Sequence, residues 1–303
     1  MPRLSVLMTA RDSEATITSA VRSTLAALPD DAEVVVLDDG STDGTLAALH
    51  RIADRRLVIR SSHHVGVANG LNRLLETTDS EFVGRMDADD RCLPGRFGRQ
   101  VKAVQSDCDA VFTTVIDWWS DRRRIGFLPP VGIAVRAFPY YLLLTNPVSH
   151  PTLVARRSVV EGVGGYRAVP AEDYDLWLRL VNSGARLRRL ALPGVLYRRH
   201  MTQVTASAAW RRQSWADETI GSAFGDLSQA LLGERFMRLV TLASSDRLLA
   251  EEKDRILADF SARYMSAIAV LPAAERLVLA RKCRARADWV RTVRDLPSAT
   301  ALP

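Results

Sequence analysis

Short aliphatic runs alternate with helical stripes through the first third of the chain. Residues 4–8 (LSVLM) and 34–37 (VVVL) are β-branched or aliphatic and end in polar residues, and residues 15–28 between them repeat apolar positions at helical spacing. The alternation continues with a predicted helix over 45–53, a strand over 57–60, a helix over 67–77 and a strand over 82–86. Strands alternating with helices predict a mostly parallel sheet sandwiched between helices, an α/β fold. Past about residue 205 only helical periodicity remains, broken at Pro272. The pattern therefore predicts an α/β domain over 1–204 and a C-terminal α-helical extension over 205–303.

Composition narrows the class. With 303 residues, 47% hydrophobic and 25% charged, the chain is globular, which excludes disorder, collagen and coiled coil. The net charge of +6 would suggest an anionic partner. Its distribution changes that picture: residues 1–120 carry a net −5 and residues 121–204 a net +8. No aromatic stacking pattern or nucleic-acid module accompanies the basic residues, so no nucleic-acid partner is expected. Cys92, Cys108 and Cys283 are far apart and form no paired framework, which fits a reducing compartment. No apolar run approaches the roughly 18–20 residues of a spanning helix, and Met1 to Leu4 leads straight into the first strand. A soluble, cytoplasmic protein is expected.

In open α/β sheets, ligands sit beyond the carboxyl ends of the strands. Three predicted strand ends are polar here: Thr9-Ala10-Arg11-Asp12, Asp38-Asp39-Gly40-Ser41-Thr42-Asp43 and Asp87-Ala88-Asp89-Asp90. Three carboxylates within four residues repel one another unless a cation compensates them, and a hard divalent ion does so economically. A helix N-cap also accounts for one such Asp, with Pro94 starting the helix. Asp38 and Asp39 offer acceptors to a ribose or base, whereas Ser41, Thr42 and Asp43 read as a turn and cap. Glu172, Asp173 and Asp175 open a helix whose Leu176 and Leu180 form the buried stripe; a carboxylate there could serve as general base. No phosphate loop of the G-x-x-x-x-G-K-[ST] or G-x-G-x-x-G kind is in place.

Taken in order, Ser5 to Arg11, Leu37 to Asp43, Gly66 to Asn72, Arg85 to Asp90 with Pro94, Arg96 and Gln100, His150-Pro-Thr152, Gly164-Gly165-Tyr166 and Glu172 to Trp177 resemble the motifs of family-two glycosyltransferases of the GT-A fold. The resemblance spans residues 3–204. It implies an inverting transferase that moves a sugar from a nucleoside diphosphate, UDP- or dTDP-linked, to a hydroxyl on a glycan, a lipid-linked molecule or a small molecule. By the same resemblance Thr9, Ala10 and Arg11 line the base, Asp38 and Asp39 bind base or ribose, and Gly66, Asn72, Arg85, Asp87 and Ala88 belong to the donor site. Asp87 and Asp89, with Asp90 available, match the D-x-D motif that holds Mn²⁺ or Mg²⁺, and His200 is a further ligand candidate. Asp173 matches the base and Glu172 its positioning neighbour, while His150 is expected in the pocket wall.

Two other readings share part of this chemistry: nucleotidyl transfer on a related sheet, and a nucleotide- or glycan-binding module without catalysis. The first would want a glycine-rich phosphate loop after the first strand, and Thr9 to Asp12 has no glycine. Residues 275–294 combine seven basic side chains with Leu277, Leu279, Trp289, Val290 and Val293, a pattern that suits either a helix packed on the core or peripheral contact with the inner face of a membrane.

Overall fold

The computed structural model describes residues 1–120, 124–127, 129–200, 203 and 207–294. In chain order the first elements are β1 (Leu4–Ala10), α1 (Glu14–Ala27), β2 (Ala32–Asp39), α2 (Thr45–His50), β3 (Leu57–Ser62), α3 (Val67–Glu76), β4 (Phe82–Arg85) and β5 (Arg91–Cys92). There follow α4 (Arg96–Ser106), β6 (Ala110–Trp119), β7 (Arg124–Gly126), α5 (Phe138–Leu142), β8 (Val154–Arg156), α6 (Arg157–Gly162), α7 (Glu172–Asn182) and β9 (Leu187–Arg199). The chain continues with α8 (Ala208–Ala216), α9 (Glu218–Leu232), α10 (Leu239–Ser244), α11 (Ala250–Ala267) and α12 (Ala273–Arg294).

The strands form one nine-stranded sheet in the order β3-β2-β1-β4-β8-β6-β9-β5, with β7 on β6. Through β4 it is parallel, as the alternating pattern predicts. Beyond β4 it is mixed: β8 runs antiparallel to both β4 and β6, and β5 antiparallel to β9, while β6 and β9 pair in parallel. The expectation of a mostly parallel sheet therefore holds only for its first half. The reversing strand is three residues long, too short for a periodic signal.

Both faces of β1 are covered, so Leu4, Val6, Leu7 and Met8 are all buried; a strand covered on both sides reads as a continuous apolar run. On α1, Ile17, Ala20, Val21, Thr24 and Leu25 recur at helical spacing and are buried. The three cysteines are buried and free.

The chain resolves into two compact units. One holds the sheet with α1 to α4 and α6. The other is helical: it takes in Arg136–Pro147 and Val169–Asn182, hence α5 and α7, together with α8 to α12. The predicted boundary at 204/205 lies outside the described residues. Within the helical unit α7 packs on α9, and Asn182 donates to the Ala223 carbonyl at 2.9 Å. Helix α12 buries Leu279, Ala280, Cys283, Ala287, Val290 and Val293. No helix among the described residues is long and apolar enough to cross a membrane.

Candidate functional site

Because β2, β1 and β4 are parallel neighbours, their carboxyl ends lie side by side. Thr9 and Ala10 are the last residues of β1, registered against Leu37 and Asp38. Asp12 follows with φ 45°; its carboxylate accepts from the Thr42 N–H at 2.7 Å and its own N–H donates to Ser41 Oγ at 3.0 Å. Asp43 accepts from the Glu14 N–H while Glu14 accepts from the Gly44 N–H, each at 3.0 Å. Ser41, Thr42 and Asp43 thus clip the first two loops together, whereas the N-cap of α2 is Gly44, which offers no side-chain cap.

Asp38 and Asp39 are still strand residues, paired with Ser61 and Ser62 of β3. Asp39 is buried, and its oxygens accept from the Ser62 hydroxyl (3.0 Å) and the N–H groups of Val65 (2.8 Å) and Gly66 (2.9 Å), with His64 Nδ1 at 2.9 Å. Burial raises its pKa, but these hydrogen bonds outweigh burial and hold it below the usual carboxylate range. In this arrangement Asp39 shapes the 62–66 loop, and Asp38 is buried with its Oδ1 unpartnered. Gly40, at φ 74°, permits the turn: a Cβ there would lie 2.9 Å from the His64 nitrogen.

Gly66 is the N-cap of α3, and on that helix Gly70 lets the backbone approach Thr9, where a Cβ would lie 2.9 Å from Thr9 Cγ2. Asn72 clasps the Gly164-Gly165-Tyr166 turn, donating to the Tyr166 carbonyl and accepting from its N–H, both at 2.8 Å. His150 Nε2 lies 3.0 Å from the Tyr166 hydroxyl. Arg11 is exposed.

At the end of β4 the oxygens of Asp87, Asp89 and Asp90 come within 4.8 Å of one another. Arg85, 3% exposed, pairs with Asp87 and donates to the Met86 carbonyl. Asp90, 2% exposed, accepts the Arg198 N–H on Oδ1 at 2.7 Å, while its Oδ2 is buried with no partner. His200 Nε2 lies 3.1 Å from Asp89 Oδ2. Burial, with the charges of Asp87 and Asp89, pushes the Asp90 carboxyl well above its ordinary pKa. Burial and Asp87 push Asp89 upward too, against the hydrogen bond from His200. Converging hard oxygen donors, one of them buried and unpartnered, fit a divalent cation. Ala88 separates the two acids of the D-x-D motif and is itself buried.

Beneath this loop lies the guanidinium of Arg96, 0% exposed, which donates to Gln100 Oε1 (2.8 Å) and to the carbonyls of Arg85 (3.1 Å) and Leu153 (3.4 Å). Gln100 in turn donates to the carbonyls of Val111 and Thr152. The pair satisfies backbone acceptors around the end of β4. Arg96→Leu is expected to destabilise the protein by about 2–4 kcal/mol, since each buried acceptor left bare costs about 1–3 kcal/mol and losing a buried charge offsets part of that. A drop in the urea midpoint at unchanged slope checks it.

In the helical unit, Glu172 and Asp173 open α7. Asp173 is half-buried; its Oδ2 accepts from Asn146 Nδ2 at 2.7 Å and its Oδ1 from the Tyr174 N–H at 2.7 Å. The third acid, Asp175, is fully buried and paired with Arg179 at 2.7 Å, a structural role inside the helix. Tyr174 is buried and donates to the Leu142 carbonyl at 2.5 Å. Sequence reasoning missed His64, Gly70 and Asn146. Gly70, four residues after Gly66 on one helix, carried a signal of close packing; the other two act over distances of 25 and 27 residues, with none.

Residues 5–160 match the family model described as glycosyl transferase family 2. The protein EpsE of Bacillus subtilis (strain 168) is 30% identical over 199 residues, 61% of this chain and 69% of that protein. The succinoglycan biosynthesis protein ExoU of Rhizobium meliloti (strain 1021) is 41% identical over 206 residues, 60% of this chain and 58% of its own length. Among solved structures, residues 1–349 of S. aureus TarS in complex with UDP-GlcNAc are similar at a TM-score of 0.60 and 19% identity, over 97% of this chain and 91% of that one.

Proposed function

The chain belongs to glycosyl transferase family 2, and from that premise we propose that it moves a sugar, with inversion, from a UDP- or dTDP-linked donor to a hydroxyl acceptor in glycan or polysaccharide biosynthesis. Its main support is the convergence of Asp87, Asp89 and Asp90 at the end of β4, with one buried Asp90 oxygen unpartnered. These acids, with His200 beside Asp89, would hold Mn²⁺ or Mg²⁺, which supplies positive charge to offset that of a leaving diphosphate. The end of β1 (Thr9, Ala10, Arg11), the unpartnered acceptor of Asp38, and the loop that Asp39 braces up to Gly66 serve base and ribose. Asn72, through the turn it clasps, supports that site from α3.

Asp173 takes the proton of the acceptor hydroxyl as that oxygen bonds to the anomeric carbon, and the carbon–oxygen bond to the diphosphate breaks with its electron pair. Glu172 and Asn146 position it. The division into a transferase domain over 1–204 and an extension over 205–303 belongs to this reading, as does a cytoplasmic location. Peripheral membrane contact is assigned to α12, where Leu277 and Val278 are exposed beside exposed Arg276 and Arg281.

A panel of nucleotide sugars, read by thermal shift with and without Mn²⁺, tests the donor. A UDP- or dTDP-sugar is expected to raise the midpoint only with the cation. No cation-dependent shift from any nucleoside diphosphate would remove the reading.

A further inference from the structure

Two guanidinium groups in the helical unit have no ion-pair partner among the described residues. Arg238, 7% exposed, stacks over the Tyr174 ring at 5.2 Å and donates to the Ser214 carbonyl at 2.5 Å. Arg286, half-buried on α12, stacks on the Trp289 ring at 4.0 Å, and its Nε is buried with no hydrogen-bond partner. Trp289 is itself braced edge-on by Trp215 at 5.9 Å. The two arginines are within electrostatic reach of each other and of Tyr174. Asp217 caps α9 through the Ile220 N–H, and its charge also favours that of Arg238. Burial holds both groups below the usual arginine range, Arg286 at about 10, with the repulsion of Arg238 adding to it.

A guanidinium partly withdrawn from water, with a buried Nε that has no partner, is costly unless an acceptor completes it. A guanidinium held over an indole ring loses less freedom when it contacts phosphate oxygens. We propose that Arg286, backed by Arg238 and framed by Trp289 and Trp215, is a binding site for a phosphate or diphosphate group carried by the acceptor. Arg238 lies over Tyr174, the residue that follows Asp173 on α7. This assignment deepens, and rests on, the transferase reading: it selects phosphate-bearing acceptors over neutral sugars.

The test uses the full chain in EDTA, so that no cation at the aspartate cluster contributes, with inorganic pyrophosphate titrated by calorimetry. Saturable binding that weakens by about tenfold or more in Arg286→Gln supports the site. Vesicles of phosphatidylcholine, with and without phosphatidic acid, separate the sources. Capture by phosphatidic acid alone, lost in Arg286→Gln, makes the phosphate lipid-borne, and binding of soluble pyrophosphate makes it independent of a lipid surface. Should Arg286→Gln misfold by circular dichroism, phenylglyoxal labelling of the unmutated chain replaces it, with pyrophosphate expected to protect Arg286. Absence of binding in both arms, equal affinity in a folded Arg286→Gln, or no protection overturns the proposal. None of these outcomes touches donor binding, which is read separately with Mn²⁺ and nucleotide sugars.

Discussion

With Asp89 replaced by Ala, transfer is expected to fall by about 10³-fold or more, accompanied by loss of Mn²⁺ binding in calorimetry or electron paramagnetic resonance. A supporting partner around a metal typically accounts for about 10–100-fold, and a direct ligand for more. The effect is expected in donor affinity measured with the cation. The fold should not suffer, because burial and the Asp87 charge already disfavour a charged Asp89 in the metal-free protein. A thermal midpoint in EDTA equal to or above that of the unmutated chain checks this side. Retained Mn²⁺-dependent turnover in Asp89→Ala would show that the cation is held elsewhere.

Asp173→Asn is expected to lower kcat by about 10²–10⁴-fold, the usual contribution of a positioned general base. The two variants should separate cleanly. The amide keeps one oxygen, enough for either the Asn146 or the Tyr174 hydrogen bond but not both, so donor affinity should stay near that of the unmutated chain and stability fall by about 1–3 kcal/mol, while proton transfer is lost. Steady-state kinetics with saturating donor make the comparison. Near-normal kcat would assign the base to another residue.

The first half of the sheet was legible because its strands are apolar on both faces and separated by helices with clear stripes, as in residues 4–39. The reversal at β8 was not, because Val154–Arg156 is short and its partners lie far away in sequence. At the site, acid clusters marked the right loops but not the division of labour within them. Asp39 differs from Asp38, and Asp175 from Asp173, only through contacts made in the folded chain: a His64 loop on one side, an Arg179 partner on the other. The grouping of α5 and α7 with the C-terminal helices was equally hidden, because a helix stripe says that a face is buried but not against what.

That grouping bears on the order in which the protein can be made. On the ribosome, the segment carrying Asp173 emerges well before the helices that cover it: α9 supplies the carbonyl for Asn182, and Arg238 stacks on Tyr174. Until about residue 238 has been synthesised, α7 lacks both α9 and Arg238, and the loops that close it span long stretches of chain, which slows folding. Termination at residue 204 would therefore leave the helix bearing Asp173 with its apolar side bare rather than release a self-sufficient enzyme.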